Sequence, residues 1–213
     1  MATYETSVKT RKALINAAGE LAAQKGFASV SIREIAKHAK QNVGSIHYHF
    51  GGKVKLFESV VRTVLQKWKD NPISDLLRQF DTESPAGQSN AVRGIIHRNI
   101  DLLFKQEVPD WHSKVIFQVM RKKGPLREIF KKELIIPSNH AIAELFMKIN
   151  PEMDKKEAFL RILIMNTPVF FHADRMDFLL AELKEKRYGE DYLQQMEDII
   201  VLQTQVSLGL PPC

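Results

Sequence analysis

Cysteine is nearly absent: the only one in 213 residues is Cys213, the last, so an internal disulfide and a four-cysteine metal site are both excluded. No apolar stretch reaches the ~18 residues that a membrane helix needs, and the first twenty residues have no apolar signal core. These absences point to a cytoplasmic protein without a membrane partner. Asn-Gly and Asp-Gly turns are missing between alternating runs, which argues against β-hairpins. A nucleotide-binding glycine loop, a His-Glu-x-x-His pair and a Gly-x-Ser-x-Gly elbow are also missing. His97, His112, His140 and His172 are scattered without the i, i+4 spacing of paired ligands. No catalytic residue, metal or cofactor is therefore expected. With 44% apolar and 26% charged residues, the chain is an ordinary globular one, and disorder is excluded.

Charge is unevenly placed. Residues 1–57 hold Lys9, Arg11, Lys12, Lys25, Arg33, Lys37, Lys40, Lys53 and Lys55 against Glu5, Glu20 and Glu34, and the remainder is neutral, so the whole net charge of +6 lies in the first quarter. A basic segment on a neutral body is the electrostatic footprint of nucleic-acid binding.

The spacing predicts an all-α protein. Leu14, Ala17, Ala18 and Leu21 define a first helix over about 7–25, ending at Gly26. Ser31 and Glu34 form a capping box for a second, with Val30 and Ile35 as a staple. Asn42 caps a short third helix, Val43 to Phe50, closed by Gly51-Gly52. A fourth follows over about 53–69, and Asn71-Pro72 and Asp81 to Ser89 read as loops. Further helices are expected at about 88–106, 109–122, 125–149, 154–172, 174–186 and 190–208, with a frayed C-terminus. Pro109 and Pro125 suit first turns; Pro137 and Pro168 fall inside helical patterns and predict kinks or breaks.

Two short helices joined by a tight turn and packed on a longer one describe a helix-turn-helix. With Ile46 and Phe50 facing inward, the second presents Val43, Gly44, Ser45, His47 and Tyr48 to the major groove. Ser45, His47 and Tyr48 can donate to phosphate, and Val43 can touch a thymine methyl. Arg33 and Lys53 can hold phosphate on either side.

Residues 10–57 carry Ala17-Ala18, Leu21, Lys25-Gly26-Phe27, Ser31-Ile32, Ile35-Ala36, Ala39, Gly44-Ser45-Ile46, Tyr48-His49-Phe50, Lys53 and Leu56-Phe57. In this the segment resembles the N-terminal DNA-binding domain of the TetR/AcrR family of transcriptional regulators. The resemblance implies an all-helical homodimer whose larger C-terminal domain binds a small effector. It places Arg33, Val43, Gly44, Ser45, His47, Tyr48, His49 and Lys53 at DNA-contacting positions. Three residues depart from the pattern: Lys40 stands at the turn glycine, Gln41 at the apolar residue after it, and His47 at a common tyrosine. Lys40 requires the turn either to tolerate a side chain or to avoid positive φ.

The division expected is a head at 1–55 and an effector-binding and dimerisation body at 56–213, with the fourth helix connecting them. Aromatic and methionine residues at helical spacing are usually core, yet an apolar pocket with a few polar groups is what a small effector needs. Phe104, Trp111, Phe117, Met120, Met165 and Phe170 are the candidate lining, with His97 or His172 as polar anchor. Arg121-Lys122-Lys123 reads as a solvated helix end. Leu160, Leu163, Ile164 and Thr167, with Leu193, Met196, Ile200 and Gln203, are the candidate dimer face. Two recognition helices about 34–36 Å apart could then read a palindromic operator. The resulting reading is a repressor released from double-stranded DNA by an unknown small molecule. Activation by the same fold, and a helical enzyme with a DNA-binding head, are the alternatives.

Overall fold

The computed structural model describes residues 2–105 and 108–212. Cys213, and Gln106 at the expected end of a helix, lie outside them. Every regular element among the described residues is helical: α1 (Ala2–Lys25), a 3₁₀ turn (Phe27–Ser29), α2 (Ile32–His38), α3 (Val43–Phe50), α4 (Lys53–Asp70), α5 (Ile73–Leu77), α6 (Pro85–Ile100), α7 (Trp111–Arg121), α8 (Pro125–Phe130), α9 (Ile136–Ile149), α10 (Lys155–Asp174), α11 (Met176–Leu183) and α12 (Glu190–Leu208). Two π-helical turns, Asp101–Lys105 and Lys131–Ile135, follow α6 and α8.

The chain forms two compact units, one of Met1–Gln66 with Val108–Glu133, the other of Lys67–Glu107 with Leu134–Cys213. In the first, α1 packs on α2, α3 and the 3₁₀ turn, and Leu14, Ile15, Ala18 and Leu21 of α1, Ile35 of α2, Ile46 and Phe50 of α3, and Leu56 and Phe57 of α4 are all buried. The sequence encodes this locally. Ser31 and Glu34 close a complete capping box on α2, and the Asn42 side chain accepts from the Ser45 amide on α3 (2.7 Å). Helix α7 packs on α1 at Gly19, where a Cβ would lie 2.4 Å from the Trp111 ring, so only glycine permits this approach. Gln118 adds a side-chain bond to the Ala23 carbonyl (3.0 Å).

The second unit closes around Ile95, Ile96, Ile142, Phe146, Ile162, Met165, Val169, Leu193, Ile200 and Val201. Several expectations are corrected here. The loop from Asp81 stops at Ser84, which caps α6 with Pro85 in its first turn, so residues 85–89 are helical. Gly87 is required there, since a Cβ would sit 1.8 Å from the Asp81 carbonyl oxygen. The stretch after Asn71-Pro72 forms α5, and Pro109 precedes α7 instead of lying in its first turn. The helix expected over 125–149 widens into a π turn just ahead of Pro137, whose missing N–H removes an i→i−4 bond.

At Pro168 no break occurs, because α10 is pinned along its length by buried Ala158, Ile162, Met165, Val169 and Ala173. Thr167 donates its hydroxyl proton to the Leu163 carbonyl beside it (2.6 Å). The segment after α12 is docked, not frayed. Leu210 is buried and donates its amide to Gln205 (2.9 Å), and the Pro211 carbonyl accepts from the Ser89 hydroxyl (2.5 Å).

Candidate nucleic-acid interface

Helix α3 offers its outward residues as the register predicts. Ile46 and Phe50 are buried, Gly44, His47 and Tyr48 are exposed, and Val43, Ser45 and His49 are half-buried. Tyr48 is 83% exposed, with its ring edge-on to His49 (5.0 Å) and no partner for its hydroxyl among the described residues. The Ser45 hydroxyl is already committed, donating to Asn42 Oδ1 (3.0 Å). Ser45 can therefore accept from a base amino group but does not have the free proton for phosphate that its position suggested. Gly44 keeps the same cap uncrowded, since a Cβ there would lie 3.2 Å from Asn42 Oδ1.

The turn before α3 answers the question that Lys40 posed. The Gln41 amide donates to the Ala36 carbonyl (2.8 Å) and the Lys40 amide to Lys37 (3.1 Å), which is a Schellman closure. Lys40 holds its left-handed position at φ 53 and tolerates the strain. Lys53 is fixed by the Ala28 carbonyl (3.4 Å) and the Phe57 ring (5.6 Å to its centroid), while Arg33 is exposed on α2.

The charge of this surface follows from where its acids are used. Glu20 is bonded to His38 (2.6 Å) and Glu34 to Lys25 (3.0 Å). The Ser31 amide, then Lys25, hold the Glu34 carboxyl at about 2, well below the usual range. Arg11, Arg33, Lys37, Lys40, Lys53 and Lys55 have no carboxylate partner among the described residues. Arg11, which the sequence offers only as one of the basic residues of the head, has its guanidinium over the Phe50 ring at the end of α3, 5.2 Å from the centroid.

The candidate effector residues divide between the units. Trp111 and Phe117 are buried in the first, where Met120 is exposed. In the second, Met165 belongs to the core, and Phe170 stacks on Trp68 (6.1 Å), itself under the Arg98 guanidinium (5.2 Å). Arg98 caps the end of α4 through the Trp68 and Asn71 carbonyls (3.1 and 2.6 Å), and burial lowers its pKa to about 10.

His97 lies between Glu197 (2.7 Å) and Asp101 (3.1 Å). His172 Nδ1 faces the Pro168 carbonyl (2.7 Å), so that nitrogen carries the proton and Nε2 accepts from the Tyr192 hydroxyl (3.0 Å). Phe104 meets Tyr188 edge-on (5.4 Å), and Tyr188 stacks on Tyr192 (5.1 Å). The structure thus gathers Phe104 and His172 through two tyrosines that periodicity did not single out. Desolvation pushes the Tyr188 hydroxyl up to about 12.

The candidate dimer residues divide between the chain's own core and its surface. Leu193, Met196 and Ile200 are buried in their own chain. The outward stripe of α12 is Ile199, Leu202, Gln203 and Val206, and Leu160, Leu163, Ile164 and Thr167 of α10 are exposed as expected. Between the two helices runs a groove of about 290 Å³ lined by Leu160, Ile164, Met165, Ile200, Gln203 and Thr204, with Glu157, Arg161 and Ser207 as its other polar members. Among the described residues, no helix is long and apolar enough to cross a membrane, and no cluster of side chains suits a metal ion.

Comparison with known proteins agrees with this geometry. Residues 14–60 match the model of the bacterial regulatory proteins of the tetR family. A Bacillus subtilis protein named "Probable HTH-type transcriptional regulator YttP" is 30% identical over 156 residues, 65% of this chain and 74% of that protein. The nicotine-responsive transcriptional repressor HdnoR of Paenarthrobacter nicotinovorans is 31% identical over 49% of each chain. Among solved structures, AibR in complex with isovaleryl coenzyme A and operator DNA shares the fold at a TM-score of 0.63 and 16% identity, covering 91% of this chain and 97% of that one. With a capped helix-turn-helix, cations around it that have no carboxylate partner among the described residues, and these relatives, the chain belongs to the TetR family of DNA-binding transcriptional regulators.

Proposed function

We propose that the protein is a homodimeric repressor in the cytoplasm, released from a palindromic operator by a small effector. The observation that carries this reading is the apolar stripe on α10 and α12. Ile164 and Val206 are 65% and 66% exposed, with Leu160, Leu163, Ile199 and Leu202 about half exposed around the groove. A side chain of this kind is worth ~1.5–3 kcal/mol on full burial. Half-burial of six from each of two subunits gives on the order of 10 kcal/mol, comparable with the ~4–15 kcal/mol cost of association. Pairing would bring two recognition helices to one duplex, which a palindrome rewards.

Basic residues of the head would release counterions from the phosphates, and Val43, Gly44, Ser45, His47, Tyr48 and His49 would face the bases and adjoining backbone. The effector would engage the aromatic group of Phe104, Tyr188, Tyr192 and His172 beside the π turn, a class of irregularity often found at functional sites. Its differential affinity for two states, typically ~1–3 kcal/mol, would set the release. The reading is supported by the relatives, one a nicotine-responsive repressor and another solved with both an acyl coenzyme A and operator DNA. In it the protein performs no catalysis.

The test is Ile164→Asp, which buries a charge in the proposed interface and leaves the core untouched. Sedimentation should show a dimer for the parent and a monomer for the variant, with loss of binding to a genomic fragment selected by the parent. A variant that stays dimeric and binds as before would overturn the interface.

A further inference from the structure

We propose that Arg11, on the first helix, is a phosphate contact that carries the DNA interface beyond the helix-turn-helix. The inference rests on the reading of α3 as the helix that enters the groove. Arg11 occupies an odd position. It lies three residues before Leu14, four before Ile15 and seven before Ala18, all buried, so it continues the apolar stripe of α1 where a leucine or methionine would be expected.

What the stripe meets there is the ring of Phe50, with the Arg11 guanidinium 5.2 Å from its centroid. The stem can cover apolar surface as any long side chain does, but the guanidinium is exposed and has no hydrogen-bond acceptor or carboxylate among the described residues.

Its place relative to α3 suggests the ligand. An α-helix with its side chains is about 10–12 Å across, so one lying in the major groove, about 12 Å wide, fills it from wall to wall. When the outward face of α3 meets the bases, the walls on its flanks are phosphate, and a long exposed side chain packed on its last residue is suited to reach them. A row of ring contacts, Phe50 to His49 (6.2 Å) and His49 to Tyr48 (5.0 Å), connects the guanidinium to the most exposed side chain of the recognition helix. The Phe50 ring holds one face of the guanidinium, and its edge N–H groups remain for a bidentate phosphate bond. Such a contact fixes the register of the helix and carries no sequence information.

The experiment uses the full chain with Arg11→Met, which keeps the apolar stem, and Arg11→Lys, which keeps the charge. Because phosphate contacts ignore sequence, a random-sequence duplex is a sufficient probe. Its affinity is followed by fluorescence anisotropy between about 50 and 200 mM salt, where counterion release is steep. The expected result is a log–log salt slope shallower by about 0.9 per bound protomer for Arg11→Met. Arg11→Lys should keep the parent slope, and both variants should keep the parent's urea midpoint.

An Arg11→Met variant with the parent's slope would overturn the assignment. So would an Arg11→Lys variant that loses as much slope as Arg11→Met, because ring packing and not charge would then be decisive. A parent without salt-dependent binding would overturn the groove reading and the role of Arg11 with it. That outcome is distinguishable from a parent that binds and a variant that matches it.

Discussion

Replacing Lys40 by glycine is expected to stabilise the helix-turn-helix, and the gain can be worked from the backbone. Lys40 ends α2 at φ 53, held by the Gln41–Ala36 and Lys40–Lys37 bonds. A left-handed conformation costs an L-residue ~1–2 kcal/mol. Glycine removes that strain but surrenders ~0.5–1 kcal/mol through the greater freedom of its unfolded chain. The net expectation is a gain of about 0.5–1 kcal/mol, small but measurable as a shift of the urea midpoint.

Lys40→Ala is the necessary companion. It removes the same charge and long stem while keeping a Cβ in the left-handed region, so the difference between the two variants isolates the backbone. Trp111 reports on the unit that contains Lys40, and its fluorescence in a Trp68→Phe background would follow that unit alone. Both variants should lose the same amount of DNA affinity if Lys40 also touches phosphate, since both lose its charge. A Lys40→Gly variant no more stable than Lys40→Ala would refute the reasoning.

Two further outcomes follow from the same surface. Glu34 sits at about 2 against its ordinary 4.5. Its stabilising effect is therefore complete above pH 4.5 and is lost as pH falls toward 2. Glu34→Gln should accordingly lower the urea midpoint at neutral pH, and the gap to the parent should close on acidification; a pH-independent gap would contradict the charge-based account. Tyr48→Ala should leave the urea midpoint unchanged, because that side chain is 83% exposed, while duplex affinity falls roughly two- to tenfold per protomer, the scale of one net hydrogen bond. Unaltered affinity would remove Tyr48 from the interface.

The head was legible in the sequence because its rules are local. A capping box, an asparagine cap and the inward pair Ile46 and Phe50 each lie within four residues, and the structure reproduces all of them. The body was less legible because its deciding contacts are distant in the chain. The first turn of α6 lay hidden in a polar stretch, since Gly87 reads as a loop residue until the Asp81 carbonyl is seen against it. On α12, Leu193, Met196 and Ile200 form one apolar stripe and Ile199, Leu202 and Val206 another. Periodicity gives the angle between two such stripes, but only the packing partner decides which faces the chain's own core. The aromatic group around Tyr188 was missed for the same reason: it joins a π turn, the end of α10 and the start of α12.

The net charge is where sequence and structure inform each other most. Counting gives the head its excess of +6, but a count does not say whether cations and anions neutralise each other locally. Glu20 and Glu34 are both consumed by side-chain and backbone partners within the head's own framework, and Arg11, Arg33, Lys37, Lys40, Lys53 and Lys55 have no carboxylate partner among the described residues. Fixing the acids in this way does two things at once. It secures the capping that holds α2 and the turn in register, and it leaves the basic residues free to be neutralised by something outside the chain. Had Glu34 been placed to pair with Arg33 or Lys37, the count would be unchanged and the outward field weaker. A duplex carries one phosphate charge per ~1.7 Å of its axis, and a basic surface whose cations have no carboxylate partner among the described residues, with Tyr48 exposed on α3, is the complement such a ligand requires.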